Sequence, residues 1–136
     1  MIYLMSDVHG DYQSFYKMLT KIKFSSGDNL YILGDVVDKG EENLRLLDFI
    51  RSSENMILIK GNHEYLFERY LQGTINAELW DACGGSVTRE EVHQLSENEK
   101  EGYLAFLKSL PVYKILTVNG EVGGQAVLGR QGSLTT

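Results

Sequence analysis

The sequence predicts an α/β domain in which helices flank a mostly parallel sheet. Short apolar runs alternate with amphipathic helical patterns through residues 1–71, and each apolar run leads into a polar motif. Alternating strands and helices imply right-handed crossovers, which make successive strands parallel. With 136 residues, the chain has the length of a single domain with one core.

The first predicted unit is a strand at residues 2–5 followed by an amphipathic helix. The strand is a continuous apolar run, as expected of a buried parallel strand. Across residues 12–24, apolar side chains recur at spacings of three and four, which is typical of a helix packed on a sheet. The same order then repeats, with a strand at residues 30–33, a helix at residues 42–52 and a strand at residues 56–59.

Helices are also predicted beyond the third strand. The first covers residues 63–71, and residues 72–87 are predicted to be irregular with a turn at two consecutive glycines. Two more helices are expected, because TREE at residues 88–91 and SENE at residues 96–99 both have the form of a capping box. They are separated near Leu95.

Pro111 ends the last helix, and the following residues predict a hairpin. Residues 113–118 alternate and are rich in β-branched side chains, and the dipeptide NG comes directly after them. Residues 122–136 contain four glycines, which weaken a strand. We therefore expect a weak edge strand at best, and we divide the chain into a domain at residues 1–121 and a divergent glycine-rich tail.

Composition limits the possible partners and compartment. The net charge of −6 argues against a nucleic-acid groove or an anionic membrane surface as partner. The single cysteine, Cys83, allows no internal disulfide, and neither a signal peptide nor a membrane-spanning run is recognisable. These features predict a soluble protein in a reducing compartment, most simply the cytoplasm.

Three polar motifs follow the first three predicted strands: SDVHGD at residues 6–11, GDVVDKG at residues 34–40 and GNHE at residues 61–64. Because the carboxyl ends of parallel strands meet at one edge of a sheet, we expect the motifs to converge. Asp7 and His9 lie two positions apart, so their side chains share a face of an extended segment. Together they can bind one divalent ion.

The other motif residues extend this site to a second ion and to phosphate. Asp35 can reach the first ion and bridge to a second one bound by Asn62, giving a pair roughly 3.5–4 Å apart of the kind that hydrolyses phosphate esters. His63 can protonate the leaving oxygen, with Asp38 orienting its ring. Lys39, together with Asn62, is the candidate phosphate-binding residue.

In order and spacing, the motifs resemble the GDxHG, GDxVDRG and GNHE blocks of the calcineurin-like metallophosphoesterases, and in particular their phosphoprotein phosphatase branch. CGGSVT at residues 83–88 is similar to a further feature of the bacterial members. The resemblance implies the N-terminal half of that family's sandwich fold. It also implies two divalent ions, manganese, iron or zinc, and the oxygen-rich ligand set favours manganese. Lys39 stands where the branch usually has arginine.

Carried over residue by residue, the resemblance assigns the same roles as the chemistry does. It implies metal ligands at Asp7, His9, Asp35 and Asn62, catalytic residues at His63 and Asp38, and phosphate-binding residues at Lys39 and Asn62. Family members have two more metal-binding histidines further on, and residues 122–136 contain neither. We therefore expect a C-terminally incomplete domain, a weakened second metal site and an exposed sheet edge through which a homodimer could form. The remaining histidine, His93, is interpreted as solvated.

Three functional hypotheses follow. The first is a serine/threonine protein phosphatase that hydrolyses phosphomonoesters with a metal-activated water, and its partner would be a phosphorylated protein. The second is a dinucleoside polyphosphate hydrolase with a nucleotide substrate. The third is a catalytically impaired fragment, because the loss of two histidine ligands should weaken the second ion.

Overall fold

The computed structural model of the chain describes residues 1–117 and 125–129. Strands and helices alternate in its N-terminal part as β1 (Ile2–Met5), α1 (Tyr12–Lys21), β2 (Asn29–Ile32), α2 (Asn43–Arg51), β3 (Met56–Leu58) and α3 (Asn62–Leu71). The three strands are parallel and lie in the order β1-β2-β3. The predicted α/β fold, a parallel sheet flanked by helices, is confirmed.

Helices cover one face of the sheet and form the main core with it. Leu30 and Ile32 of β2 are fully buried on this face. They pack with Phe15 of α1, Leu47 of α2 and Phe67 of α3 in one apolar cluster. Burial of these large side chains is the principal stabilising contribution to the fold, at roughly 1.5–3 kcal/mol for each.

The opposite face of the sheet is covered only in part. Tyr31 of β2 and Ile59 pack there with Leu116 from the C-terminal part of the chain. Ile2 and Leu4 of β1 are 52% and 53% exposed. The prediction of a buried first strand is therefore wrong for these two side chains, because β1 lies at the sheet edge and the main core forms on the other face. The homodimer through this edge stays a prediction.

Three helices follow α3: α4 (Ala77–Ala82), α5 (Ser86–His93) and α6 (Glu97–Ser109). The presence of α4 shows that the prediction of an irregular segment at residues 72–87 is wrong. Asn76 is the N-cap of α4, and its side chain accepts a hydrogen bond from the backbone N–H of Leu79 at 2.8 Å. This cap allows a six-residue helix to form where the apolar periodicity is too short to predict one.

The two predicted capping boxes have different outcomes. At α6 the box is confirmed: the Ser96 hydroxyl accepts from the Glu99 N–H at 3.2 Å, and the Glu99 carboxylate accepts from the Ser96 N–H at 2.9 Å. At α5 it is wrong, because the N-cap is Gly85, three residues before Thr88. Thr88 therefore lies inside α5, where it is fully buried.

The last described elements are two antiparallel strands, β4 (Tyr113–Thr117) and β5 (Gln125–Gly129), paired from Tyr113 with Gly129 to Thr117 with Gln125. The predicted returning strand is thus confirmed. The turn predicted at the NG dipeptide lies outside the described residues. Among the helices that the structure describes, none has the length and apolar character needed to cross a bilayer.

Replacing Ser96 with alanine should cost about 1 kcal/mol of unfolding free energy, because the N-cap of α6 loses its side-chain acceptor. Urea denaturation followed by circular dichroism measures this loss. Ser26→Ala is the control, since Ser26 is an exposed turn residue. Equal stability of the two variants would show that this capping box does not stabilise α6.

Candidate active site

Backbone hydrogen bonds join the loops that follow β1 and β2. The His9 N–H donates to the Asp35 carbonyl at 2.9 Å, and the Gly10 N–H donates to the Val36 carbonyl at 2.6 Å. A Cβ on Gly40 would lie 2.0 Å from the His9 carbonyl oxygen, so only glycine permits this approach. The first two motifs therefore meet at the carboxyl edge of the sheet, as the sequence predicts.

The backbone of these loops is strained at the candidate site residues. Among the residues that the structure describes, six other than glycine have positive φ, and five of the six belong to the first two motifs. Their φ values are 55° at Asp7, 45° at His9, 57° at Asp35, 78° at Asp38 and 68° at Lys39. Such conformations persist only when surrounding contacts impose them, and they concentrate at functional sites.

Asp7, His9 and Asp35 form a cluster that fits a divalent metal ion. One potential ligand atom from each lies within 4.8 Å of the others. His9 Nδ1 lies 3.1 Å from the Val37 carbonyl, to which it donates in the Nδ1–H tautomer. That tautomer leaves the lone pair of Nε2 available, and Nε2 lies 3.8 Å from Asp7 Oδ1. Two carboxylates and one oriented imidazole suit a divalent ion of a first-row transition metal.

The third motif joins this cluster through the first turn of α3. The His63 N–H donates to Asp35 Oδ1 at 3.2 Å, so the amino end of the helix faces a carboxylate. The rings of His9 and His63 meet edge to face, with centroids 4.8 Å apart. Asn62, directly before His63 in sequence, is the first residue of α3 and is exposed. Its role as a ligand of a second ion stays a prediction.

His63 and Asp38 form the pair that the sequence predicts. His63 Nδ1 lies 2.7 Å from Asp38 Oδ2, and the Asp38 carboxylate is fully buried. This hydrogen bond raises the pKa of the His63 imidazole above its usual value, with burial opposing it. The pair therefore favours a protonated imidazolium whose Nε2 carries a transferable proton.

Glu64 has a role that sequence reasoning missed, although it is the last residue of the third motif. Its fully buried carboxylate accepts four backbone N–H bonds, from Gly61 at 3.0 Å, Asp35 at 2.7 Å, Val36 at 2.8 Å and Val37 at 3.3 Å. Burial raises the pKa of this carboxyl group, and the N–H donors oppose that rise. Glu64 thus ties the loop after β2 to the start of α3.

Lys39 lies at the rim of an open cavity beside the cluster. The cavity has a volume of about 500 Å³ and is lined by residues 9–13 and 39–42. The Lys39 N–H donates to the Gly84 carbonyl at 2.9 Å, and its side chain is exposed. The exposed side chain can bring its ammonium group to a phosphate bound in this cavity. The phosphate-binding role of Lys39 stays a prediction.

His93 is exposed, as predicted, with Nε2 3.4 Å from the Tyr70 hydroxyl.

Helices α4 and α5 support the loop after β2 in a way that the sequence did not reveal. The Thr88 hydroxyl accepts from the Asp38 N–H at 3.2 Å. The Glu91 carboxylate accepts from the N–H groups of Asn43 at 3.2 Å and Leu44 at 3.1 Å, so it caps α2 from another helix. The Trp80 N–H donates to Asp38 Oδ2 at 2.8 Å. Thr88 and Glu91 of the TREE sequence therefore bind backbone N–H groups of distant residues and do not form a local capping box.

The chain is similar to two proteins named symmetrical bis(5'-nucleosyl)-tetraphosphatase. It is 36% identical over 144 residues to the symmetrical bis(5'-nucleosyl)-tetraphosphatase of Erwinia tasmaniensis, covering 93% of this chain and 52% of that protein. The Haemophilus ducreyi protein of the same name is 39% identical over 64 residues, covering 46% of this chain and 24% of that protein. The chain thus spans about half the length of the Erwinia relative.

A solved structure and a family profile agree with this similarity. The crystal structure of a metallophosphoesterase from Sphaerobacter thermophilus superposes with a TM-score of 0.61 at 22% identity, covering 85% of this chain and 43% of that chain. The profile of the calcineurin-like phosphoesterases matches residues 1–131, ten residues past the predicted domain boundary at residue 121. The chain is a member of the calcineurin-like phosphoesterase family.

Proposed function

We propose that this chain carries a metal-dependent hydrolase site that cleaves the polyphosphate chain of a dinucleoside tetraphosphate. Two relatives named symmetrical bis(5'-nucleosyl)-tetraphosphatase support it, one of them similar across 93% of the chain. They favour the second of the three functional hypotheses over the serine/threonine protein phosphatase. In symmetrical cleavage, each nucleoside would keep two phosphates.

The observation that carries the proposal is the position of the His63–Asp38 pair next to the Asp7–His9–Asp35 cluster. The rings of His9 and His63 are in edge-to-face contact, which supports a proton donor next to the metal-binding group. Asp38 stabilises the imidazolium by accepting from its Nδ1–H, with Oδ2 2.7 Å from Nδ1. His63 Nε2 then gives its proton to the phosphate oxygen that leaves, which is general acid catalysis.

The donor atoms determine which residues would bind the metal ions. Asp7, His9 and Asp35 would bind the first ion, and Asp35 and Asn62 would contribute to a more weakly bound second one. Manganese is our first choice among manganese, iron and zinc, since most of these ligands are oxygens. Bound divalent ions supply charge neutralisation for the phosphates and lower the pKa of coordinated water. Lys39 would add a positive charge at the cavity rim.

The test is hydrolysis by the purified chain with added Mn²⁺, measured by chromatographic separation of nucleotides. The three substrates are diadenosine tetraphosphate, a phosphothreonine peptide and p-nitrophenyl phosphate. We expect kcat/KM to be highest for the dinucleotide, with ADP as the product. His63→Ala should lower kcat by roughly 100-fold or more, as loss of a general acid does.

His93→Ala is the matched control, because His93 is exposed and bonds only weakly to Tyr70. It should keep the activity of the unmodified chain. Preferential hydrolysis of the phosphothreonine peptide would instead support the protein phosphatase. No turnover of any substrate, with one ion or none bound, would overturn the proposal and favour the impaired fragment.

A further inference from the structure

We propose that Trp80 is a positioning residue of this site, which acts by fixing the Asp38 carboxylate for His63. The inference rests on the proposed function for its kinetic consequence, and on geometry alone for the contact itself. Trp80 Nε1 lies 2.8 Å from Asp38 Oδ2, the same oxygen that lies 2.7 Å from His63 Nδ1. The indole and the imidazole therefore converge on one atom.

The burial of Asp38 makes the indole N–H important. Asp38 is fully buried, and a buried carboxylate is costly unless donors compensate its charge. Its Oδ1 has no hydrogen-bond partner in the part of the chain that the structure describes, so both side-chain donors act on Oδ2. The indole N–H of Trp80 is the donor that remains neutral in every protonation state of His63. Without the indole N–H, the Asp38 carboxylate would be free to rotate. The His63 ring, which this carboxylate orients, would then also lose its fixed orientation.

The indole itself has little freedom to move. Trp80 is fully buried and stacks on Phe67, with ring centroids 5.3 Å apart and an interplanar angle of 18°. The centroid of the Tyr70 ring lies 5.0 Å from that of the indole. The Gly85 backbone passes so close that a Cβ there would lie 2.2 Å from Trp80 Cδ1 and 2.3 Å from Nε1. Glycine at this position thus lets the start of α5 pack directly against the indole edge that carries the N–H.

A purely structural role is the competing explanation, because a buried tryptophan commonly fills a core and finds any available acceptor. The two explanations differ in what the N–H does for His63. A core residue would affect stability alone, whereas a positioning residue would affect the ring of His63 and the rate of proton transfer. Trp80→Phe separates them, since phenylalanine keeps a stacked ring and lacks the donor.

The contact can be measured directly, because Trp80 is the only tryptophan and gives a single indole N–H signal in a ¹H–¹⁵N spectrum. We expect this signal to lie downfield of a solvated indole and to move upfield in Asp38→Asn. Tyr103→Phe is the matched control, since it also removes a buried aromatic donor from a carboxylate, Asp48, at 2.7 Å. An indole signal that Asp38→Asn leaves unchanged would overturn the proposal.

The positioning effect is measured in the same spectra and by kinetics. In Trp80→Phe, the Nδ1 signal of the His63 ring should shift as its hydrogen bond to Asp38 loosens, and kcat should fall roughly 10-fold with little change in KM. In a His63→Ala background, Trp80→Phe should cause no further loss, because the two residues act as one unit. Equal losses in both backgrounds, or an unchanged His63 ring, would overturn the proposal.

Failure of the proposed function is distinguishable from failure of this inference. If the unmodified chain hydrolyses none of the substrates, the proposed function fails, and the indole and imidazole signals still decide whether Trp80 positions the pair. If the chain is active and Trp80→Phe matches it in kcat and in the His63 signals, the inference fails alone. Thermal melting of Trp80→Phe and Tyr103→Phe shows whether each variant is folded at the assay temperature.

Discussion

Glu64→Ala should lower the free energy of unfolding by about 4 kcal/mol. The reason is the number of donors left without an acceptor. Four backbone N–H groups point at the Glu64 carboxylate, at distances from 2.7 to 3.3 Å, and the side chain is fully buried. Each buried N–H without a partner costs about 1–3 kcal/mol, and water entry would lower the sum.

A loss of that size would bring a domain of ordinary stability close to unfolding. It would also disturb the site, because the N–H groups of Asp35, Val36 and Val37 belong to the loop that carries Asp35 and Asp38. We expect Mn²⁺ affinity to fall together with stability. Urea denaturation, with and without Mn²⁺, measures both effects in one experiment.

Glu101→Ala is the control for Glu64→Ala, since Glu101 is an exposed residue of α6 and its loss should change stability by less than about 0.5 kcal/mol. Glu64→Gln should be intermediate, because the amide offers one acceptor oxygen and places an NH₂ group against backbone donors. A Glu64→Ala chain as stable as Glu101→Ala would refute the view that this carboxylate ties the two motifs together.

The first half of the fold was predictable because local patterns and tertiary packing agree there. The alternation of apolar runs and helical periodicity through residues 1–71 locates all six elements, with ends that shift by at most three residues. The motifs at the strand ends then converge through the geometry of a parallel sheet. Convergence of Asp7, His9 and Asp35 could be predicted on these grounds, whereas the pairing of His63 with Asp38 was predicted from the chemistry of the motifs and from the family resemblance.

Residues 72–91 show why the rest could not be predicted. Thr88 and Glu91 have capping-box spacing, yet their side chains bind backbone N–H groups of Asp38, Asn43 and Leu44 some fifty residues earlier. A four-residue pattern does not reveal whether the N–H groups that donate to it are local or distant. Trp80 has the same difficulty, because an apolar residue in a short helix predicts burial and not the acceptor that its N–H finds.

Asp35→Asn should have opposite effects on the metal-free and metal-loaded chain. Asp35 is 2% exposed, and its carboxylate lies within 4.8 Å of a ligand atom of Asp7. Without a cation, two negative charges so close oppose folding, so removal of one should stabilise the metal-free chain by about 1 kcal/mol. With Mn²⁺, the variant should lose roughly 100-fold or more in affinity, because an amide replaces a charged ligand oxygen of the site.

Thermal melting with and without Mn²⁺ tests both signs, and electron paramagnetic resonance of free Mn²⁺ gives the affinity. The backbone N–H of His63 lies 3.2 Å from Asp35 Oδ1, and the amide oxygen of asparagine can still accept from it, so the amino end of α3 should stay in place.

Glu54→Gln is the control, because it removes one equal charge from an exposed position. Similar losses of Mn²⁺ affinity in the two variants would mean that the ion responds to net charge and that Asp35 is not its ligand. A metal-free Asp35→Asn chain less stable than the unmodified one would mean that this buried carboxylate serves the fold, in which case the cluster is not maintained for cation binding at the expense of stability.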